Sequence, residues 1–128
     1  WTSCQSISSI LLCICASVLT DEPFLNEPGI TIHHEDYDKY NKIIKYKNYE
    51  IAIANMIINA NIKINFPDLH EIMVRKFLEN YNDIICNLET NLNLNDEIIE
   101  TMVYRMKIKT SYTNTKNKID EIYKLLKN

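Results

Sequence analysis

A single glycine, Gly29, occurs in the 128 residues, where average composition would give about nine. Tight hairpins, phosphate-binding loops and dinucleotide-binding turns use glycine because it permits positive φ and close backbone approach. One glycine cannot build these features, so P-loop and Rossmann chemistry are excluded within this chain, and a turn-rich β-sandwich is not expected. Only three prolines are present, and two of them, Pro23 and Pro28, lie close to Gly29. The sequence therefore predicts an all-α chain.

Apolar periodicity divides the chain into about five helices, with no clearly alternating strand. The first is predicted over residues 3–19, and the next 16 residues form a loop. The apolar residues of this first helix recur every three or four positions and form one face, called here the leading stripe: Ile7, Ile10, Leu11, Ile14 and Val18. Four more helices are predicted over residues 36–62, 67–88, 95–106 and about 119–126.

Capping residues support these boundaries. Asp36 and Asn95 are favoured N-cap residues for the second and fourth helices. Pro67 suits the first position of the third helix, and a Ser/Thr/Asn-rich stretch over residues 110–117 is expected to interrupt the C-terminal part. The second helix is predicted to bury one face, formed by Tyr40, Ile44, Ile51, Ala54 and Ile58.

Length, charge and hydropathy limit the classes of partner. A chain of 128 residues corresponds to one domain, and a net charge of −3 does not indicate nucleic-acid binding. The apolar run 10–19 is too short to span a bilayer and follows no basic segment, so no membrane association is predicted. A chain that starts at Trp1 is expected to be cut from a longer polypeptide.

Cysteine and histidine spacing does not predict a metal site. The four cysteines form no C-x-x-C pair, and they are interpreted as reduced, packed thiols of a cytoplasmic protein, with the nucleus as a second location. A disulfide framework or a zinc site is the alternative. Residues 33–36 offer two histidines and two carboxylates, but adjacent histidines in a loop seldom reach one ion. A solvated loop is preferred there, and neither a metal nor another cofactor is predicted.

The first 29 residues resemble a segment of the ubiquitin-conjugating enzymes. They read WTS at positions 1–3 and EPFLNEPG at positions 22–29, with a helical pattern between them. This order is most similar to the large hybrid conjugating enzymes that also act as ligases, the apollon-like subgroup. Residues 36–90 fit the same family more loosely, and residues 91–128 match nothing in it. Residues 1–90 are therefore interpreted as the C-terminal portion of such a domain, and 91–128 as a helical tail extension of unknown role.

The resemblance implies the C-terminal helical part of an α+β fold whose sheet is absent from this chain. Enzymes of the family carry ubiquitin as a thioester on one cysteine and transfer it to a lysine. Their catalytic cysteine and His-Pro-Asn motif precede the tryptophan that corresponds to Trp1, whereas Cys4 follows it. No catalytic residue is therefore expected in this chain, which alone is predicted to be inactive.

The resemblance also implies three pairs of contact positions. They are Leu12 and Ala16 on the donor-ubiquitin face of the first helix, Asn26 and Glu27 at the acceptor-lysine gate, and Thr2 and Ser3 in the ligase-facing loop. A carboxylate at the gate can orient an incoming lysine. An ordinary exposed surface is the alternative for each pair, and the ligase-facing loop lacks the family's usual proline. Ubiquitin, and a ligase or activating enzyme, are the partners that these positions imply.

Two functions follow from these observations. The first is a fragment or remnant of a ubiquitin-conjugating enzyme, whose parent transfers ubiquitin from cysteine to lysine. The second is a non-catalytic helical module that binds a protein partner through an apolar helix face. Both predict that the leading stripe is less buried than its apolarity requires.

Overall fold

The structure is a computed structural model that describes residues 5–127. Its α-helices are α1 (Ile7–Cys13), α2 (Tyr37–Lys47), α3 (Ala60–Asn65), α4 (Pro67–Glu89) and α5 (Tyr112–Lys127). Two of them continue as π-helix, α1 over Ile14–Val18 and α2 over Asn48–Asn55. Short 3-10 turns lie at Pro23–Asn26, Leu92–Leu94 and Val103–Arg105. Strands β1 (Ile98–Glu100) and β2 (Lys107–Lys109) form the small sheet of the described residues. The prediction of a mostly helical chain with about five helices is confirmed.

Residues 7–18 form one helix, called the leading helix, that buries none of its side chains. It begins at Ser6 with a capping box, in which Ser6 and Ser9 each accept the other's backbone N–H. Ile7 is 76% exposed and Leu11 56%, and Ile10 is half-buried. The prediction of a helix followed by a loop, with an uncovered leading stripe, is confirmed for the described residues, although residues 5 and 6 of the predicted helix precede its first turn.

The core lies between α4, α5 and the second half of the α2 helix. Phe77 and Leu88 of α4 and Ile119 and Ile122 of α5 are buried, as the apolar periodicity predicted. Tyr81 stacks on the Tyr123 ring with centroids 3.6 Å apart, and its hydroxyl donates to Asp120 at 2.7 Å. The cluster also includes Tyr46, Ala54, Ile57 and Tyr112. It joins residues on both sides of position 90, so the C-terminal helix completes the core of the preceding segment.

The second helix differs from its prediction in length and in its buried face. It does not run to residue 62, because a turn at residue 58 ends it and α3 begins at Ala60. Of the five residues predicted to be buried, only Ala54 is, and Ile51 and Ile58 are each 55% exposed. The residues that are buried are Ile43, Tyr46, Ala54 and Ile57. Tertiary contacts select this face, since the Tyr46 ring meets Tyr112 of α5 edge-on with centroids 5.0 Å apart and its hydroxyl accepts from the backbone N–H of Ser111 at 3.0 Å.

Asn59 starts α3, and its side chain accepts hydrogen bonds from the backbone N–H groups of Asn61 and Ile62. Asn59→Ala is therefore expected to lower the free energy of unfolding by about 0.5–2 kcal/mol, measured by urea denaturation. Asn59→Gly is the matched control and should cost only a few tenths, because glycine is tolerated at an N-cap. Equal losses in the two variants would contradict a capping role.

The predicted helix over residues 95–106 is wrong, because this segment forms a β-ribbon. Ile99 pairs with Ile108 in antiparallel register. Ile99 is buried while its neighbour Ile98 is 64% exposed, which is the two-residue alternation of a strand. Positive φ angles of 63° at Asp96 and 58° at Tyr104 are incompatible with a continuous helix. Residues 98–109 are called the ribbon below.

Tertiary hydrogen bonds explain the ribbon. Its ends are closed by the bonds from Asp96 N to Thr110 O and from Thr110 N to Glu97 O. Asn95 does not cap a helix that follows directly. Its side chain instead exchanges hydrogen bonds with Thr113, accepting from the backbone N–H in the first turn of α5. The expected interruption over residues 110–117 is also wrong, because α5 already begins at Tyr112.

Candidate functional site

Residues 20–36 form a loop, called the gate loop, that is tied to the end of the leading helix. The Asn26 side chain donates to the carbonyl oxygen of Val18 at 2.7 Å. Gly29 has a φ of 78°, and the turn before it is closed by the bond from Ile30 N to Glu27 O. The single glycine of the described residues therefore takes the left-handed conformation that an L side chain would strain.

Phe24 anchors the gate loop to α2. Its side chain is fully buried, and it stacks on Tyr40 with ring centroids 4.3 Å apart. The His34 ring packs edge-on against the Phe24 ring, with centroids 5.2 Å apart. The backbone N–H of Phe24 donates to the Asn41 side chain at 3.0 Å. These contacts fix the conformation of the residues that follow Phe24, including Glu27.

Glu27 lies between two tyrosines. Oε2 accepts from the Tyr104 hydroxyl at 2.7 Å, and Oε1 accepts from Tyr40 at the longer distance of 3.5 Å. The bond to Glu27 raises the pKa of the Tyr104 phenol, and burial, followed by the Glu27 charge, raises the pKa of Tyr40. Both phenols therefore stay protonated donors at neutral pH, and the half-buried carboxylate keeps a defined orientation.

Asp36 holds the ribbon against the gate loop. The residue has no exposed surface, and Oδ2 accepts from the backbone N–H groups of Met102 at 2.8 Å and Val103 at 2.9 Å. These bonds, the one from Val103 first, lower the pKa of Asp36 although burial opposes them. Asp36 occupies the predicted N-cap position of α2, but its side chain makes no capping bond to that helix. The carboxylate is committed instead to a turn 66 residues away.

The structure therefore brings together residues that sequence reasoning did not connect. Asn26 and Glu27 were predicted as a pair, but Tyr104 and the ribbon-holding role of Asp36 were missed. The bond between Glu27 and Tyr104 spans 77 positions. No local pattern indicates such a contact, and the alternation of lysine and isoleucine at residues 107–109 is the sequence signal for a strand in this segment.

The positions predicted to face donor ubiquitin are accessible. Leu12 is 70% exposed, and Ala16, one turn later, is exposed as well. Leu19, also 70% exposed, extends this apolar strip at the end of the leading helix. Thr2 and Ser3, predicted to face a ligase, lie outside the described residues, as does Cys4.

The other sequence predictions concern thiols and metal ligands. Cys13, Cys15 and Cys86 are free, but all three are exposed, so the expectation that they pack in the interior is wrong. His34 is not simply solvated, because Nδ1 accepts from Asp36 N at 3.1 Å and the ring contacts Phe24. Within residues 5–127, three or more histidine, cysteine, aspartate and glutamate side chains nowhere meet in a metal-binding group. In this part of the chain, no helix combines the length and the apolarity needed to cross a bilayer.

Comparison with curated proteins relates the chain to one enzyme. The zebrafish (Danio rerio) ubiquitin-conjugating enzyme E2 Z is 36% identical over 84 residues, which cover 63% of this chain and 24% of the relative. The human protein of the same name is likewise 36% identical over 84 residues, and that of Xenopus tropicalis 34%. Part of this chain is homologous to ubiquitin-conjugating enzyme E2 Z. The chain spans about a quarter of the length of these relatives, and no family model matches it.

Homology to E2 Z agrees with the family resemblance carried by residues 1–29. It supports a region like that of the ubiquitin-conjugating enzymes in this chain. The apollon-like subgroup stays a prediction, as do the contact positions on the leading helix and the gate loop.

Proposed function

We propose that this chain is the C-terminal helical part of a ubiquitin-conjugating region, whose complete enzyme transfers ubiquitin from a cysteine thioester to a lysine. The 36% identity to E2 Z over 84 residues is the observation that carries the proposal. The WTS start and the EPFLNEPG loop further support the apollon-like hybrid subgroup. Residues 1–128 alone have no catalytic cysteine in this proposal, and the reaction centre belongs to a preceding segment.

Each described surface has a role in the proposed reaction. Leu12 and Ala16 contact the donor ubiquitin, for which their exposed apolar strip is suited. Asn26 and Glu27 form the gate through which the acceptor lysine reaches the thioester. The Glu27 carboxylate attracts and orients the ammonium group, which must lose a proton before its nitrogen attacks the thioester carbonyl. The attack forms the amide C–N bond, breaks the C–S bond and releases the cysteine as its thiolate. The activating enzyme and a ligase are the further protein partners.

The uncovered leading stripe fits a helix that packs against another part of a conjugating domain. Four of its five side chains are more than a third exposed, with Ile14 at 39% and Val18 at 46%. The leading helix is thus apolar on two faces, the leading stripe and the face that carries Leu12 and Ala16. Two apolar faces are typical of a helix that is covered on both sides. The proposed preceding segment would cover the stripe, and donor ubiquitin would cover the strip.

The test uses the complete polypeptide encoded by the gene, incubated with activating enzyme, ubiquitin and ATP. We expect a reducible ubiquitin adduct on a cysteine that precedes Trp1 and follows a His-Pro-Asn motif. Leu12→Asp should leave adduct formation intact and slow transfer to free lysine about ten-fold, because a charge then faces the apolar donor surface. Leu125→Asp is the matched control, since Leu125 is 74% exposed on α5, and its rate should stay within about two-fold of wild type.

The alternative function is a non-catalytic helical module, which the exposed leading stripe favours. It predicts no His-Pro-Asn motif upstream of Trp1 and no reducible adduct from the complete polypeptide. That result would overturn the conjugating function. An adduct that forms on residues 1–128 alone and is lost with Cys4→Ser would instead contradict the placement of the reaction centre.

A further inference from the structure

We propose that Tyr104 is a positioning residue for Glu27, and that the ribbon thereby sets the orientation of the acceptor-lysine gate. The inference rests on the proposed function, because it gives a role to Glu27 in lysine transfer. It goes beyond that function by assigning a part of the site to residues after 90, which match nothing in the family resemblance.

The two carboxylate oxygens of Glu27 are engaged unequally. Oε2 is held by the Tyr104 hydroxyl at 2.7 Å, a distance typical of a strong bond between a hydroxyl and a carboxylate. Oε1 has the 3.5 Å contact with Tyr40, which is too long to engage it fully. With Oε2 fixed, Oε1 is the oxygen left to accept from an incoming ammonium group.

Tyr104 is placed independently of Glu27. The turn that carries it is held by the two bonds from its preceding residues, Met102 and Val103, to the buried Asp36. Glu97, which directly precedes the ribbon, forms an ion pair with Lys42 of α2 at 3.4 Å. The Tyr104 backbone has a φ of 58°, which differs from that of a helix or a strand and gives the side chain a different direction from either. The phenol is thus delivered to the carboxylate by a fixed turn.

The opposite side of the contact is fixed as well. Glu27 follows the buried Phe24 by three residues, and Phe24 stacks on Tyr40. Tyr40 lies between the Phe24 and Tyr104 rings, with its centroid 6.3 Å from that of Tyr104. Tyr104 itself is 64% exposed, so the contact lies at an open surface that a lysine side chain can reach. A hydrogen bond between two fixed partners selects one carboxylate rotamer, which is what positioning requires.

The test compares Tyr104→Phe with wild type in the complete polypeptide after ubiquitin has been loaded. Phenylalanine keeps the ring and removes only the donor hydroxyl. We expect loading to be unchanged and kcat/KM for transfer to free lysine to fall about three- to ten-fold, because the freed carboxylate samples several rotamers. Tyr81→Phe is the matched control, since its hydroxyl donates to Asp120 at the same 2.7 Å far from the gate loop in sequence. Its transfer rate should equal that of wild type.

A spectroscopic readout separates positioning from a general loss of structure. Ring-carbon NMR of residues 1–128 follows the ionisation of each tyrosine. Glu27→Gln should lower the pKa of Tyr104 toward its ordinary value of 10.0 while Tyr81 stays at about 12. A Tyr104 pKa that Glu27→Gln leaves unchanged would overturn the hydrogen bond on which the proposal stands.

The outcomes distinguish the two proposals. If no thioester forms in the wild type, the conjugating function is overturned and the role of Tyr104 falls with it. If the thioester forms and Tyr104→Phe transfers ubiquitin to lysine at the wild-type rate, only the positioning role is overturned. Slow transfer in Tyr104→Phe with normal loading supports both.

Discussion

Leu88→Ala is expected to lower the free energy of unfolding by about 2–5 kcal/mol. Leu88 has no exposed surface and lies in the cluster that joins α4 to α5, with Phe77 and Ile119. Truncation removes buried methyl groups and leaves a cavity that the surrounding helices can fill only in part. A domain of this size is stable by about 5–15 kcal/mol, so this one change removes a large share. Urea denaturation followed by circular dichroism measures the loss.

Leu125→Ala is the control for this prediction. Leu125 belongs to α5 as well, but it is 74% exposed, and its truncation should change the free energy of unfolding by less than about 0.5 kcal/mol. Similar losses in the two variants would show that α4 and α5 do not form the core described here.

The packing of α4 and α5 could be predicted from the sequence because each helix presents one regular stripe to the core. The buried residues of each helix are separated by about a whole number of turns: Ile119 and Ile122 by about one turn, and Phe77 and Leu88 by about three. Pro67 marks the start of α4, where its missing N–H is not needed. The pattern also includes Leu69 and Ile72, which are 53% and 47% exposed, so it agrees with the tertiary contacts of α4 only from Met73 onward.

The ribbon could not be predicted because its conformation depends on partners distant in sequence. The segment contains two adjacent isoleucines and two methionines, which also fit a helix. The buried Asp36 accepts the N–H groups of Met102 and Val103, and Thr110 closes the ribbon end. These bonds favour a turn over the intrinsic helix preference, which differs by less than about 1 kcal/mol per residue between ordinary side chains.

The candidate site was predictable only in part for the same reason. Resemblance of the EPFLNEPG loop to one family identified Asn26 and Glu27, and homology to E2 Z supports that family. It could not indicate that Asn26 binds the carbonyl of Val18 or that Tyr104 binds Glu27. A family motif identifies residue types at a site, whereas their partners here, the Val18 carbonyl and the Tyr104 hydroxyl, lie outside the motif.

Asp36→Ala is expected to release the ribbon from the gate loop. The change leaves the N–H groups of Met102 and Val103 without their acceptor, so the two bonds that hold the turn to the gate loop are lost. Hydrogen exchange of these two amides should become at least about ten-fold faster, while the amides of α4 keep their protection. Asp38→Ala is the control, because Asp38 is an exposed carboxylate in the first turn of the same helix. Unchanged exchange at Met102 in Asp36→Ala would show that Asp36 does not hold the ribbon.

The bonds from Met102 and Val103 to Asp36 also predict how acid acts on the ribbon. Because the N–H groups of the turn lower the pKa of Asp36 below its ordinary value of 3.8, the folded state holds the proton less tightly than the unfolded chain. The stabilisation is therefore fully present above pH 3.8 and is lost as the pH falls through the lower, folded value.

Asp36→Asn keeps an acceptor oxygen without the charge, so it should retain part of the amide protection and remove this acid dependence. The ribbon of the Asn variant would then hold Tyr104 near Glu27 at neutral pH, whereas the Ala variant should slow lysine transfer as Tyr104→Phe does.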